Sequence, residues 1–493
     1  MDFIVGLDGN KEAPLHKQLY DEVRGAILAG RLGPGQRVPS TREMAKSLGV
    51  SRTTVTQSYD ELLSEGYLEA VVGSGTFVCK ELPEDLLRSA ASNGAQAPRA
   101  PAASSRRNPL SEYGSRLKPM PTPYRDREGL KEINFIYGVP DLDLFPIRQW
   151  SRLLSRHCRA AHADALSYIS DNLGYKPLRE AIAAYLGRSR AVRCSPEQVF
   201  IVNGAQQALD LIARVFLDKG DRVVTEEPGY PGARLLFQAH GAHIHPVRVD
   251  LQGLQTASLS KLPPGIKLVY ITPSHQFPMG VSLTLARRLE LLAWAEAQGA
   301  LIIEDDYDSE YRYAARPHPA LQGLDRAGSV LYVGTFSKVM YPGLRIAYMA
   351  VPADLADVLS RAKWLADRQS PMLEQYALAD FIESGWLERH IRRMRLLYGS
   401  RRDATVAALG EYFGDRATIL GDSAGMHLIA RLSTGLGDDE VVRRAARSGV
   451  ELASSRRCYF GLCRVGEFMF GFAATGESQI REGIRRIAQA VSA

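Results

Sequence analysis

Val330-Leu331-Tyr332-Val333, followed by Gly334-Thr335-Phe336-Ser337-Lys338 and then by Pro342-Gly343-Leu344-Arg345, sets the architecture of this 493-residue chain. A short continuous apolar run between turn signals predicts a strand buried on both faces, as found in sheets covered by helices. The pattern recurs outward along the chain at Val199-Phe-Ile-Val202, Arg222-Val-Val-Thr225, Lys267-Leu-Val-Tyr-Ile271 and Ala300-Leu-Ile-Ile303. Helical signals separate these runs, one from Gln206 and one near Ala233. Strands alternating with helices predict an α/β fold with a parallel-rich sheet and helices on both faces. Ligands of such sheets gather at the carboxyl ends of the strands.

Those ends carry chemistry. Asn203-Gly204-Ala205-Gln206-Gln207 places small residues at the opening of a helix, whose free N–H groups can receive a phosphate. Glu304-Asp305-Asp306-Tyr307-Asp308 is an acidic run that a solvated loop or a metal site would each explain. Lys338, flanked by hydroxyls and followed seven residues later by Arg345, fits a Schiff-base lysine beside a phosphate clamp.

Composition sets outer limits. With 45% apolar and 24% charged residues, the chain is neither disordered, collagenous nor a disulfide scaffold. At roughly 100 to 200 residues per domain its length predicts about three domains. No apolar run approaches the roughly 18 residues of a membrane span. Met1-Asp2-Phe3 lacks the basic start of a secretory signal, so a cytoplasmic protein without a membrane partner is expected. Cys79, Cys158, Cys194, Cys458 and Cys463 are odd in number and never spaced Cys-x-x-Cys, so reduced structural thiols and no metal site are expected. The formal charge of +6 divides into −1 over residues 1–80, +2 over 81–132 and +5 beyond. It therefore says nothing about nucleic acid.

Composition changes after Lys80. Residues 81–130, including Ser89 to Ser105 and Pro119-Met-Pro-Thr-Pro123, are poor in large apolar side chains and read as a flexible linker. It separates a compact domain over 1–80 from an α/β domain over 131–493 with a smaller C-terminal α/β part. In the small domain Leu15, Leu19, Val23 and Ile27 recur every four residues after Pro14 and predict a first helix. Ser40 and Glu43 predict a capping box opening a second, which runs to Leu48. After Gly49-Val50-Ser51, the residues Val55, Tyr59, Leu62 and Leu63 trace the buried stripe of a third helix. Tyr67 to Val78 reads as a hairpin around Gly73-Ser74-Gly75. Short donors and an arginine at the start of the third helix suit a recognition helix, and Arg37, Arg42, Lys46 and Arg52 form a local basic cluster.

Residues 12–79 resemble a winged helix-turn-helix of the GntR family through Val38-Pro-Ser-Thr-Arg-Glu43, Gly49-Val-Ser-Arg-Thr-Thr-Val55 and Gly73-Ser-Gly-Thr-Phe77. The resemblance implies double-stranded operator DNA as a partner, contacted by Arg42, Arg52, Thr53, Thr54 and Gly73. Lys131 to Ala493, opening with Phe135-Ile-Tyr-Gly-Val-Pro-Asp141, resembles the class I aminotransferases of fold type I. That resemblance implies pyridoxal 5′-phosphate (PLP) held as an aldimine on Lys338, the catalytic lysine. Asp305, in preference to Glu304 or Asp306, would pair with the ring nitrogen, Tyr307 would bond the ring hydroxyl, and Tyr230 would stack on the ring. Ala205, Gln206, Thr335, Ser337 and Arg345 would hold the phosphate. Tyr168 would reach in from the partner of a domain-swapped homodimer.

Two positions depart from the enzymes. Phe277-Pro278-Met279-Gly280 stands where they carry Asn-Pro-x-Gly, leaving His275 or Gln276 to substitute for the asparagine. Met469 occupies the place of the arginine that binds an α-carboxylate, and methionine cannot do so. Arg456, Arg457, Arg234 and His275 are candidate effector contacts instead. The whole chain resembles the MocR subfamily of GntR regulators, which implies a PLP-dependent transcription regulator. PLP itself, an amino acid, or an amine such as γ-aminobutyrate or taurine would be its effector. A working aminotransferase with an accessory DNA module is the rival reading, against which the missing arginine counts.

Overall fold

The computed structural model describes residues 7, 13–82, 110–121, 131–159, 166–168, 171–313, 319–421, 423–461 and 463–492. The chain divides into two compact units, residues 1–108 and 109–493. No helix among the described residues is long and apolar enough to cross a membrane.

In the first unit, α1 (Leu15–Leu28), α2 (Thr41–Leu48) and α3 (Arg52–Ser64) pack beside strands β1 (Arg37–Val38), β2 (Leu68–Val71) and β3 (Gly75–Val78). The strands form an antiparallel sheet in the order β1-β3-β2. Leu19, Val23, Ile27, Val55, Tyr59 and Leu62 are buried together with Val38, Leu68 and Val78. Each such side chain contributes roughly 1.5–3 kcal/mol through burial. The expected capping box is present, Ser40 Oγ accepting from Glu43 N and the Glu43 carboxylate accepting from Ser40 N. Gly49 closes α2 at φ +65°, a left-handed conformation that favours glycine, and so redirects the chain into α3. The Ser58 hydroxyl donates to His16 O at 2.6 Å and ties α3 to α1.

The linker expectation needs one correction. Residues 83–109 and 122–130, including Ser89 to Ser105, lie outside the described residues, but α4 (Glu112–Leu117) is a helix seated on the large unit. Arg116 Nε donates to Ala239 O at 2.8 Å, and the ring of Tyr113 meets His240 edge-on at 5.2 Å. Composition missed it because its anchors lie more than a hundred residues away in sequence.

The second unit is built on an eight-stranded sheet. Its strands are β4 (Val199–Val202), β5 (Arg222–Glu227), β6 (His243–Asp250), β7 (Gly253–Leu254), β8 (Ile266–Ile271), β9 (Leu301–Asp306), β10 (Val330–Thr335) and β11 (Ala347–Ala350), in the order β4-β11-β10-β9-β8-β5-β6-β7. The run from β10 to β6 is parallel, while β11 lies antiparallel between β10 and β4. Strand β11 was not read from the sequence. The short turn Pro342–Leu344 and Arg345, at φ +54°, lead straight back from β10, which permits only an antiparallel neighbour. Helices α5 (Ala205–Phe216) and α6 (Pro231–Ala239) follow β4 and β5. The C-terminal part holds helices α7 (Trp386–Phe413) and α8 (Glu477–Ser492). It also holds an antiparallel sheet of β12 (Ala417–Leu420), β13 (His427–Leu432), β14 (Ala453–Ser454) and β15 (Glu467–Gly471), ordered β12-β13-β15-β14.

Candidate functional site

Two surfaces carry the predicted residues, and each unit has one. On the first, Arg42, Arg52, Thr53 and Gly73 are exposed. Ser51 caps α3 by accepting from Thr54 N at 3.1 Å, and its hydroxyl meets Thr54 Oγ1 at 2.8 Å, so Thr54 is already engaged in the cap. Arg52 Nε reaches Thr41 Oγ1 at 3.4 Å and links the start of α3 to α2. At the wing, Gly75 sits at φ +118°, and a Cβ there would lie 2.8 Å from Arg37 Nε. Glycine thus lets the wing close on the basic side chain. Arg52→Ala is expected to weaken binding to a selected DNA site by about tenfold or more, since a good base contact is worth about 1–3 kcal/mol. Its melting temperature should be unchanged, because the side chain is exposed; a matching loss of stability would assign Arg52 to the fold instead.

In the second unit the strand ends converge on a cavity of about 200 Å³. Lys338, Asp305, Tyr307, Tyr230, Ala205, Gln206, Thr335, Ser337 and Arg345 all line it. Lys338 Nζ donates to Gly138 O at 2.8 Å, and burial pushes its amine below the ordinary lysine range. A lysine so placed is a better nucleophile at neutral pH. Gly138, at φ +88°, leaves room for it, since a Cβ would stand 2.9 Å from Nζ.

Alternation along β9 settles which carboxylate faces the cavity. Glu304 accepts from Leu321 N and Gln322 N at 2.8 Å, and Asp306 pairs with Arg190 at 2.8 Å and Tyr332 at 2.6 Å. Asp305 turns the other way: Oδ2 accepts from Tyr270 at 2.7 Å, while Oδ1 is buried without a partner. Desolvation raises its carboxyl to about 6 despite the Tyr270 bond. The acidic run is therefore not a solvated loop, since Glu304, Asp305 and Asp306 are all buried.

At the other side of the cavity α5 begins. Its first N–H groups have no acceptor within the helix, and Ala205 and Gln206 both line the space. Arg345 donates to Asn203 O at 2.9 Å, and Gly204, at φ +99°, lacks the Cβ that would otherwise lie 2.4 Å from that guanidinium. The residues fit PLP on structural grounds: an orphaned carboxylate oxygen suits a protonated ring nitrogen, and a helix start with an arginine suits a phosphate.

Five of the predicted residues lie elsewhere. His275 does not line the cavity; it sits behind Tyr307, with Nδ1 3.0 Å from both the Tyr307 hydroxyl and Asp308 Oδ1. Gln276, the alternative stand-in for asparagine, is spent on the carbonyls of Pro228 and Phe277. Arg456 forms an exposed pair with Asp439 at 3.5 Å. Arg234 lies over the Phe460 ring and donates to Arg457 O at 3.1 Å. Tyr168 is 76% exposed, with the Arg368 guanidinium 5.3 Å from its ring centre.

Sequence reasoning overlooked Tyr137, Tyr270, Thr272 and Pro342, which also line the cavity. Tyr270 and Thr272 flank the end of β8, so the strand-end rule could have found them. His275, Asp308 and His427 come together behind Tyr307 with all three buried. His427 donates from Nε2 to Pro278 O at 3.0 Å, and burial lowers it to about 3, so it stays neutral.

Known proteins share both units. Residues 132–487 match aminotransferase class I and II, and residues 15–78 match the bacterial regulatory proteins of the gntR family. The chain is 42% identical to a probable rhizopine catabolism regulatory protein MocR of Rhizobium meliloti, over 98% of this chain and 95% of that protein. It is 34% identical to the HTH-type transcriptional regulator TauR of Rhodobacter capsulatus, over 97% of each. Among solved structures, the α-aminoadipate aminotransferase LysN of Thermus thermophilus superposes with a TM-score of 0.70 at 30% identity. The match covers 78% of this chain and 97% of that one.

Proposed function

Because the chain belongs to the MocR subfamily of GntR-type transcription regulators, a winged helix joined to an aminotransferase class I and II domain, we propose that its large unit is a PLP-dependent sensor controlling operator binding. One observation carries this reading: Lys338, its amine depressed by burial, shares a cavity with the unpartnered Asp305 Oδ1, on a chain whose other unit is a winged helix. When bound, PLP supplies an aldehyde carbon that condenses with amines and a ring that withdraws electrons.

The chain's own residues define what can happen there. Lys338 holds the reactive amine, and Gly138 O positions it until a ligand arrives. Asp305 would supply the negative charge at the ring nitrogen. The Tyr307 hydroxyl would meet the ring hydroxyl, and Asp308, through His275, fixes the Tyr307 side chain from behind. Ala205, Gln206, Thr335, Ser337 and Arg345 form the anion end. An effector amine would compete with the Lys338 amine for one place. To change operator affinity tenfold it must favour one arrangement of the protein by about 1.4 kcal/mol. Homodimerisation, which the resemblance implies, would bring the exposed Tyr168 to a partner's cavity and present two winged helices to repeated half-sites.

The discriminating experiment is steady-state turnover of the PLP-loaded protein over a panel of amines and keto acids. A sensor is expected to bind amines with a spectral change and to turn over very slowly. Turnover near the roughly 1–10³ s⁻¹ usual for enzymes would favour a working aminotransferase.

A further inference from the structure

Resting on the PLP reading, the cavity also specifies the class of ligand it would sense. Among the described residues that line it, the cations are Lys338 and Arg345. The first is the reactive amine, and the second stands at the anion end beside Gly204. Much of the remaining wall is aromatic, with Tyr137, Tyr230, Phe277 and Tyr307. Phe277 belongs to a buried apolar cluster with Ile429, Cys458 and Met469, against which the three tyrosines pack. Met469 is 3% exposed and pairs across the sheet with Ile429 and Ala453.

Arg431, Arg456 and Arg234 do not line the cavity and are engaged elsewhere. Arg431 pairs with Glu467 at 2.8 Å, Arg456 with Asp439, and Arg234 with Phe460 and Arg457 O. A carboxylate entering this space would shed water against aromatic and apolar surface without a cation to pair with, which is costly. An ammonium is treated differently, because Lys338 Nζ already lies 5.9 Å from the centre of the Tyr137 ring, whose face attracts cations and repels anions.

We propose that the effector of this cavity is a primary amine that carries no carboxylate or other acid group. Its uncharged body packs against Phe277 and the tyrosines, and the Met469 cluster excludes its acid analogues.

The test uses the full-length, PLP-loaded protein and pairs of probes in which a carboxylate replaces a methyl group or a hydrogen: n-butylamine against γ-aminobutyrate, and phenethylamine against L-phenylalanine. Binding is followed by absorbance near the visible edge. The amine of each pair is expected to bind at least about tenfold more tightly, equivalent to about 1.4 kcal/mol. Met469→Arg is expected to reverse the order for the phenethylamine pair, and Met469→Gln, uncharged and of similar length, to retain it. Acids binding as tightly as amines in a coloured wild-type protein would overturn the amine assignment alone. So would a reversal in Met469→Gln equal to that in Met469→Arg. A protein that stays colourless with PLP would overturn the cofactor reading as well.

Discussion

Lys338→Ala is expected to abolish the absorbance near the visible edge that the protein acquires with PLP, and with it any amine-dependent change in DNA binding. The effect should be complete rather than graded, because among the described residues lining the cavity Lys338 carries the only amine. Stability should change little. The side chain's hydrogen bond is a single one, to Gly138 O, and removing a partly buried amine relieves a desolvation cost that offsets the lost packing. The winged helix, with its own core around Val23, Val55 and Leu62, should fold and bind DNA as before. An unchanged spectrum in this variant would remove Lys338 from the site.

Asp305→Asn should have the next largest effect. The variant can still accept from Tyr270, so the fold is retained, but the charge at the ring nitrogen is gone. Hydrogen bonds to charged groups are worth about 1.5–3 kcal/mol, so PLP retention should fall about 10- to 100-fold by equilibrium dialysis. The pH dependence carries a second signature. With no ligand the Asp305 carboxyl titrates at about 6, and below that pH it is protonated. A protonated ring nitrogen requires the ionised carboxylate, so protons compete with PLP, and Asp305 alone should lower wild-type affinity by up to about tenfold per unit below pH 6. Protonation of Lys338 acts in the same direction and persists in the variant, so the variant's slope should be shallower by one proton. Equal slopes would exclude Asp305 from the ring nitrogen.

Much of this site was legible because its signals are local. Lys338 follows an apolar strand, and Gly204-Ala205 follows another, so strand ends alone pointed to both. The resemblance already preferred Asp305 to Glu304 and Asp306; the physical reason emerges with β9 running through Asp306, since alternation along a strand assigns their faces. What the sequence hid is directional or distant. A short apolar run such as Ala347–Ala350 does not reveal whether it pairs parallel or antiparallel. The position of His275 depends on Asp308, 33 residues on, which holds its ring behind Tyr307 rather than in the cavity. Arg234 and Arg456 have long side chains whose direction follows from Phe460 and Asp439, and spacing does not encode those contacts.

If occupancy of the Lys338 cavity controls the winged helix, the affinity of the full-length protein for a DNA site selected from a random pool must depend on what the cavity holds. That affinity is measured without ligand, with PLP, and with PLP plus n-butylamine, in wild type and in Lys338→Ala. Wild-type affinity is expected to change at least several-fold between these states, and the affinity of Lys338→Ala to stay constant. Identical affinities in all wild-type states, or the same change in Lys338→Ala, would contradict control through this cavity.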